Sequence, residues 1–178
     1  MVAALGLAFN TWFVFLPSHL IAAGAVRLGP ALGCAVIGLA AMVGTAPMMG
    51  RRSDRVGRRP VLIAAALAVA AFAVPGFLLA GHPILGLLVS DVVMGVLIGM
   101  MTVTAFVAEL FPTPVRATGV ALTYSIATAV FGGTAPLIAT LLAVHDALWA
   151  MPVYLTVMAL LVLVAAITAR ETAFDELS

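Results

Sequence analysis

Charged side chains are scarce in this sequence. Only 8% of its 178 residues are charged and lysine is absent, whereas 65% are hydrophobic. Such a chain has too few polar groups to cover itself with an ordinary water-exposed surface. The composition therefore excludes a typical soluble protein and indicates an integral membrane protein.

Groups suited to covalent chemistry or metal binding are scarce as well. The single cysteine, Cys34, has no partner for an internal disulfide. The sequence lacks an HExxH motif and a metal-ligand cluster, and its three histidines fall near the ends of hydrophobic stretches. We therefore expect no enzymatic activity, no metal, no cofactor and no nucleic-acid partner.

Five long stretches contain no Asp, Glu or Arg, and a sixth is interrupted only by Asp91. A helix needs about 20 apolar residues to cross a hydrocarbon core, so the length allows six crossings. Lipid offers no partner for backbone N–H and C=O groups, and the stretches lack the alternation of a membrane barrel, so each should be an α-helix. The predicted spans are Val2 to Ala23, Ala31 to Met49, Pro60 to Ala80, Pro83 to Val107, Thr118 to Val144 and Leu148 to Ala169.

The spans predict an all-α integral membrane protein with one compact bundle over residues 1–170 and a short cytoplasmic tail at residues 171–178. The first hydrophobic stretch has no basic residue before it and is long enough to span. We therefore expect a retained helix and not a cleaved secretion signal.

Arginine is distributed unequally between the two sides of this arrangement. Seven arginines fall on one side and only Arg27 falls on the other. Because basic residues concentrate in cytoplasmic segments, the arginine-rich side should face the cytoplasm, with both termini inside. The sequence thus predicts a multi-pass protein of the cell membrane.

The segment between the second and third spans carries a charged pattern, Gly50-Arg51-Arg52-Ser53-Asp54-Arg55-Val56-Gly57-Arg58-Arg59-Pro60. Gly50 and Gly57 suit close approach and turn geometry, and Pro60 suits the first turn of the next helix. A loop that only set the topology would need the arginines but neither Asp54 nor the two glycines. We therefore predict a tight charged hairpin with a specific role.

A second charged motif joins the fourth and fifth spans. Glu109 lies at the C-terminus of one predicted helix, and Arg116 lies near the N-terminus of the next. Each charge opposes the local helix dipole, so a compensating partner is expected. For Glu109 that partner is Arg55 or Arg58. For Arg116, or for the N–H groups that begin the fifth helix, it is Asp54.

Small residues in the fourth and fifth spans suit close helix packing. Gly95 and Gly99 form a GxxxG pair, and the fifth span contains Gly132, Gly133 and Pro136. Glycine lets two backbones approach, whereas Gly/Pro breaks can also turn backbone carbonyls toward a cavity. We favour the packing interpretation for both groups.

The first motif resembles the signature loop of the major facilitator superfamily, in which a Gly, an Asp-Arg pair, a second Gly and a basic pair lie between two helices. The second motif, followed by Ala117-Thr118-Gly119 and residues 128–137, resembles the second half of that superfamily's metabolite:proton symporters. The likeness covers nearly the whole chain. It implies a C-terminal six-helix half of a carrier that is driven by protons and moves citrate, 2-oxoglutarate, other organic acids, proline or betaine.

Members of that family have about twelve helices in two related halves, with the substrate between them, so this chain can supply at most one wall of the pathway. We therefore expect a missing N-terminal half or a second copy as a partner. The charged residues should act as a gate whose contacts form when the cytoplasmic side closes. The expected gating network is Gly50, Asp54, Arg55, Gly57, Arg58, Arg59, Glu109 and Arg116. The alternative is a non-transporting remnant or regulatory half.

Asp91 lies about 12 Å along its helix from the outer boundary, close to mid-membrane. A carboxylate at this depth is costly, so it should face a cavity, pair with a cation or take up a proton. We predict a role in proton coupling or substrate binding, against the alternative of a packing hydrogen bond to a hydroxyl such as that of Ser90. Weaker candidates for the lining of the cavity are Asn10, Thr11, Tyr124 and Thr128.

Overall fold

The computed structural model describes residues 1–82, 84–101 and 111–168. Within these ranges the chain forms six long helices. They are α1 (Val2–Ala22), α2 (Leu28–Val56), α3 (Arg58–Ala80), α4 (Ile84–Met101), α5 (Thr113–Val144) and α6 (Ala150–Thr168). Each is long and apolar enough to cross a membrane. The predicted six-helix membrane fold is confirmed for the described part of the chain.

Helix α2 departs most from its predicted span, because it continues to Val56 and does not end at Met49. Its 29 residues give a length of about 43 Å, which exceeds the thickness of the hydrocarbon core. Hydropathy marks where a helix leaves the lipid and not where the helix ends, and arginine is a good helix former. The segment predicted as a charged loop is therefore mostly the last turns of α2.

The other helix ends need smaller corrections. Helix α5 begins with a short 3-10 turn at Thr113 and becomes α-helical at Arg116, ahead of the predicted Thr118. The predicted ends of the fourth and sixth spans, Val107 and Ala169, lie outside the described residues, as does the tail at residues 171–178.

The helices pack unequally. Helices α2 and α3 both pack along α4, α3 also packs against α6, and α1 packs against α5. In α1 and α4 56% of the apolar stretch is buried, against 17% in α2 and α5. Fully buried side chains of the core include Leu7, Trp12, Val69, Leu87, Met94, Ile98, Met151 and Leu155. Helices α2 and α5 consequently present broad apolar faces to their surroundings.

The GxxxG pair of α4 packs directly on α2. A Cβ placed on Gly95 would lie 2.1 Å from the carbonyl oxygen of Gly38, and one on Gly99 would lie 2.8 Å from that of Met42. Real side chains do not tolerate such distances, so glycine is what lets these two backbones touch. The packing interpretation of this pair is confirmed.

Both α1 and α5 contain a π-helical segment. These segments are Asn10–Phe15 in α1 and Thr128–Gly132 in α5, and each contacts the other helix. A π-helical turn carries one more residue than an α-helical turn, and such segments occur frequently at functional sites. Helix α5 stays continuous through Pro136.

Candidate functional site

The charged hairpin turns on a single residue. Helix α2 ends at Val56, α3 begins at Arg58, and Gly57 between them has φ 110° and ψ 152°. Only glycine adopts this backbone conformation without strain, so the turn predicted at Gly57 is present. Gly50 instead lies inside α2 with open space around it, so it makes neither a turn nor a close approach.

Asp54 and Arg58 form an ion pair across this turn. Arg58 Nη1 also donates to the hydroxyl of Ser53, 3.1 Å away, and Ser53 is fully buried. Asp54 lies at the C-terminal end of α2 and Arg58 at the N-terminal end of α3, so each charge has the wrong sign for its own helix dipole. Pairing the two side chains offsets both unfavourable placements.

Arg59 connects the hairpin to the last helix of the chain, α6. Its Nε donates to the carbonyl oxygen of Ala166 over 3.1 Å, and its Nη2 donates to that of Ile167. Both carbonyls lie in the last described turn of α6. Arg59 therefore joins the start of α3 to the described end of α6, a contact that the gating prediction did not include.

Arg116 has a different partner from the one expected. Its Nε donates to the carbonyl oxygen of Phe111 over 3.2 Å, while Asp54 pairs with Arg58. The sequence offered two partners for Asp54, and neither was the neighbour four residues along the chain. Glu109 lies outside the described residues, so its partner stays a prediction.

Asp91 is completely buried, at 0% exposure. Neither of its carboxyl oxygens has a hydrogen-bond partner in the described part of the chain. Its backbone carbonyl lies against α2, since a Cβ placed on Gly38 would be 2.6 Å from that oxygen. We expected this carboxyl group to face a cavity, to pair with a cation or to take up a proton. The described residues do not provide the cation. An unpaired charge in such surroundings is costly.

The hydroxyl of Ser90, the residue before Asp91, already makes two hydrogen bonds. Trp12 Nε1 donates to Ser90 Oγ over 2.9 Å, and Ser90 Oγ donates to the carbonyl oxygen of Gly76 over 2.8 Å. Trp12 and Ser90 are both fully buried. This chain of hydrogen bonds links α1, α4 and α3 in the interior of the bundle. Ser90 therefore does not serve as the packing partner of Asp91.

The structure brings Asn10 and Thr128 together at the crossing of α1 and α5. Gly6 of α1 lies against the backbone of Gly132 and Thr128, with a Cβ placed on Gly6 3.7 Å and 3.8 Å from their Cα atoms. Asn10 Nδ2 donates to the carbonyl oxygen of Gly6 over 2.9 Å and lies beside Gly132. Asn10 and Thr128, one predicted polar residue from each helix, thus lie at the same crossing, at the start of the two π-helical segments.

Two further polar groups of α1 and α5 lack partners among the described residues. They are the hydroxyl oxygens of Thr11, on α1, and Tyr124, on α5. Buried polar atoms without a hydrogen bond are unusual in proteins and call for a water molecule, a ligand or a change of conformation. No hydrogen bond joins this group to Asp91 in the described residues.

The described residues contain no cluster of three or more His, Cys, Asp or Glu side chains that could hold a metal ion. Cys34 is buried, with its thiol 3.9 Å from the carbonyl oxygen of Ile84. Neither observation adds a second candidate site.

Known proteins similar to this chain are transporters. The proline/betaine transporter of Salmonella typhimurium is 30% identical over 97% of this chain and 35% of its own length. The inner membrane metabolite transport protein YhjE of Escherichia coli is 37% identical over 80% of this chain and 33% of its own length. The citrate-proton symporter of Klebsiella pneumoniae is 40% identical over 61% of this chain and 25% of its own length.

No family model matches the chain. The chain spans about a third of the length of the curated relatives that match nearly all of it. Its six apolar helices and the membrane transporters among its relatives make it a multi-pass membrane protein. The chain belongs to the major facilitator superfamily, and its six helices match one part of that superfamily's longer metabolite:proton symporters.

Proposed function

We propose that this chain forms one half of a proton-coupled carrier for a small organic acid or zwitterionic metabolite. The observation that carries the proposal is Asp91, a fully buried carboxyl group whose oxygens have no hydrogen-bond partner among the described residues. A carboxyl group in this situation has no packing bond to explain it, and ionisable groups inside membrane bundles commonly serve proton or substrate pathways.

The substrate class follows from the relatives and not from the cavity. The similar proteins carry proline and betaine, citrate or α-ketoglutarate, according to their names. These are zwitterions and organic anions with at least one carboxylate. Asn10, Thr128 and the unpaired hydroxyls of Thr11 and Tyr124 offer uncharged hydrogen-bonding groups on one wall of such a pathway.

A second half is needed to complete the pathway. Only 17% of the apolar stretch of α2 and of α5 is buried, so large apolar faces of the bundle have no protein neighbour within the described chain. We infer that a second six-helix unit, either an N-terminal half or another copy of this chain, packs against them. Both termini would then lie in the cytoplasm, on the side of the arginine-rich hairpin.

The hairpin is the proposed cytoplasmic gate. Asp54 and Arg58 form an ion pair at the turn, and Arg59 donates to the carbonyl oxygen of Ala166 in α6. Contacts of this kind bias a two-state equilibrium only if they differ between the two states. Our proposal is that the Asp54 pair and the predicted contacts of Glu109 and Arg116 form when the cytoplasmic side closes.

The test is uptake into proteoliposomes. The chain is reconstituted alone, and separately as one polypeptide with the six spans encoded upstream of Met1 where these exist. Uptake of labelled proline, betaine, citrate and 2-oxoglutarate is then measured with and without an inward proton gradient. Gradient-dependent uptake of one of them, abolished by a protonophore, is the expected result.

The alternative, a remnant or regulatory half that does not transport, makes a different prediction. Such a chain would associate with a partner half, detected by cross-linking through cysteines on α5, without binding or moving any of the four substrates. Uptake that does not depend on the proton gradient would support the proposed carrier function and contradict the proposed proton coupling.

A further inference from the structure

Two adjoining clefts lie at the arginine-rich end of the bundle. The first has a volume of about 360 Å³, and its apolar walls include Met49, Val61, Ala64 and Met100. The second has a volume of about 390 Å³ and is lined mainly by Arg51, Arg52 and Arg55. Arg52 and Val56 line both clefts. An apolar cleft and a cationic cleft therefore meet along the last turns of α2.

The apolar cleft arises from how three helices pack. Helices α2 and α3 each pack along α4 and have far fewer contacts with one another. They converge at Gly57, where the turn joins them, and α4 contributes Met100 to the cleft between them. Ala64, on the α3 side, is small and exposed, so it leaves room in the cleft for another apolar group.

The three arginines of the second cleft have no acidic partner among the described residues, and Arg55 is also one of the two predicted partners of Glu109. All three side chains are exposed, and none has a hydrogen-bond or ion-pair partner among the described residues. The neighbouring acid, Asp54, is already paired with Arg58. Arg51 and Arg55 are four residues apart on one helix, a spacing at which like charges repel. The cluster therefore concentrates positive charge, which favours the binding of an external anion.

The length of α2 sets the depth of the two clefts. At about 43 Å the helix is longer than the hydrocarbon core, so its charged end reaches the headgroup region while the apolar cleft lies toward the acyl chains. Basic pockets between helices on the cytoplasmic side are suited to anionic lipid headgroups.

We infer that these clefts bind one anionic phospholipid of the cytoplasmic leaflet, with its phosphate on Arg51, Arg52 and Arg55 and an acyl chain between α2 and α3. A free anion would use the cationic cleft and leave the apolar one empty. A lipid uses both, which is why the continuity through Arg52 favours it. This inference does not depend on the proposed transport activity, and only its choice of leaflet rests on the proposed cytoplasmic position of the hairpin.

The experiment is native mass spectrometry of the purified chain in detergent, titrated with phosphatidylglycerol or with phosphatidylcholine of the same acyl chains. Arg52→Gln should weaken phosphatidylglycerol binding about fivefold, since each arginine near an anionic surface contributes about that factor. Ala64→Trp should weaken it as well, by filling the apolar cleft without changing any charge. Arg27→Gln removes the same charge at the other end of α2 and should leave binding unchanged.

Four results would overturn the inference. They are equal binding of the two lipids, equal loss in Arg27→Gln and Arg52→Gln, displacement of the lipid by millimolar inorganic phosphate, and a change in the dimer fraction in place of lipid occupancy. The third result would indicate an anion site, and the fourth a protein interface. Arg52→Lys should retain most of the binding, and if Arg52→Gln does not fold, Ala64→Trp still tests the site.

Discussion

Trp12 donates its indole N–H to the hydroxyl of Ser90 over 2.9 Å, which ties α1 to α4 one residue before Asp91. Ser90 passes the link on to the carbonyl of Gly76 in α3. Three helices are thus joined by polar contacts in the interior, close to the carboxyl group that we propose as the coupling site. If α1 moves relative to α4, the hydrogen bond between Trp12 and Ser90 must break or the two side chains must move together.

Ser90→Ala should destabilise the bundle by about 1 kcal/mol, within the range measured for hydrogen bonds between membrane helices. The substitution leaves the buried indole N–H of Trp12 without its acceptor. Unfolding of the purified protein in a denaturing detergent measures the loss, and Ser125→Ala, at an exposed position of α5, is the control. A double-mutant cycle with Trp12→Phe that shows no coupling between the two sites would contradict the prediction.

Gly95→Ala should force α2 and α4 apart. The new Cβ would lie 2.1 Å from the backbone oxygen of Gly38, and a backbone atom cannot move aside as a flexible side chain can. Overpacking of this kind costs about 1–3 kcal/mol. Gly44→Ala on α2 is the matched control, because nothing lies within 4 Å of its Cβ, and it should be neutral or stabilising. Equal stability of the two variants would show that the close approach is absent.

Arg59→Gln should loosen the contact between α3 and α6. The guanidinium donates to the carbonyl oxygens of Ala166 and Ile167, and its removal takes both hydrogen bonds away. We expect a local loss of about 1 kcal/mol, the net contribution of a typical hydrogen bond. Hydrogen exchange of the amides of residues 162–168 should become several-fold faster, while Arg27→Gln should leave those amides unchanged.

The orientation in the membrane can be tested by cysteine labelling in a Cys34→Ala background. A cysteine at Arg55, which is exposed, should react only with reagent on the cytoplasmic side, and one at His82 should react only from outside. Ser53 is unsuitable as a reporter because it is fully buried. Labelling of position 55 from outside would show that the orientation is the opposite of the proposed one.

The sequence was enough for the number of helices, because the cost of burying charge in lipid leaves a strong hydropathy pattern. It was also enough for the turn at Gly57, since one glycine before a basic pair and Pro60 has few other uses. It was not enough for the end of α2, because arginine outside the lipid is compatible with both a helix and a loop.

Partners across the bundle were harder to predict than elements. Trp12 and Ser90 are 78 residues apart, and nothing local to either residue indicates the other. Arg59 bonds to Ala166 of α6, 107 residues along the chain, and this pair was equally hard to predict because neither residue indicates the other. Asp54 shows the converse, because two long-range partners were considered and Arg58, four residues away, is the one that binds it.

Asp91→Asn gives the sharpest test of the coupling role. Asparagine has nearly the same shape, so it should fit the fully buried site, but it cannot take up or release a proton. In a complete carrier the variant should lose accumulation driven by the proton gradient and keep substrate exchange, because exchange need not return an empty carrier with its proton. Asp146→Asn, at an exposed loop position with φ 54° that asparagine tolerates, should change neither. If the Asp91 variant still accumulated substrate in response to external acid, the carboxyl group would have a packing role and no part in coupling.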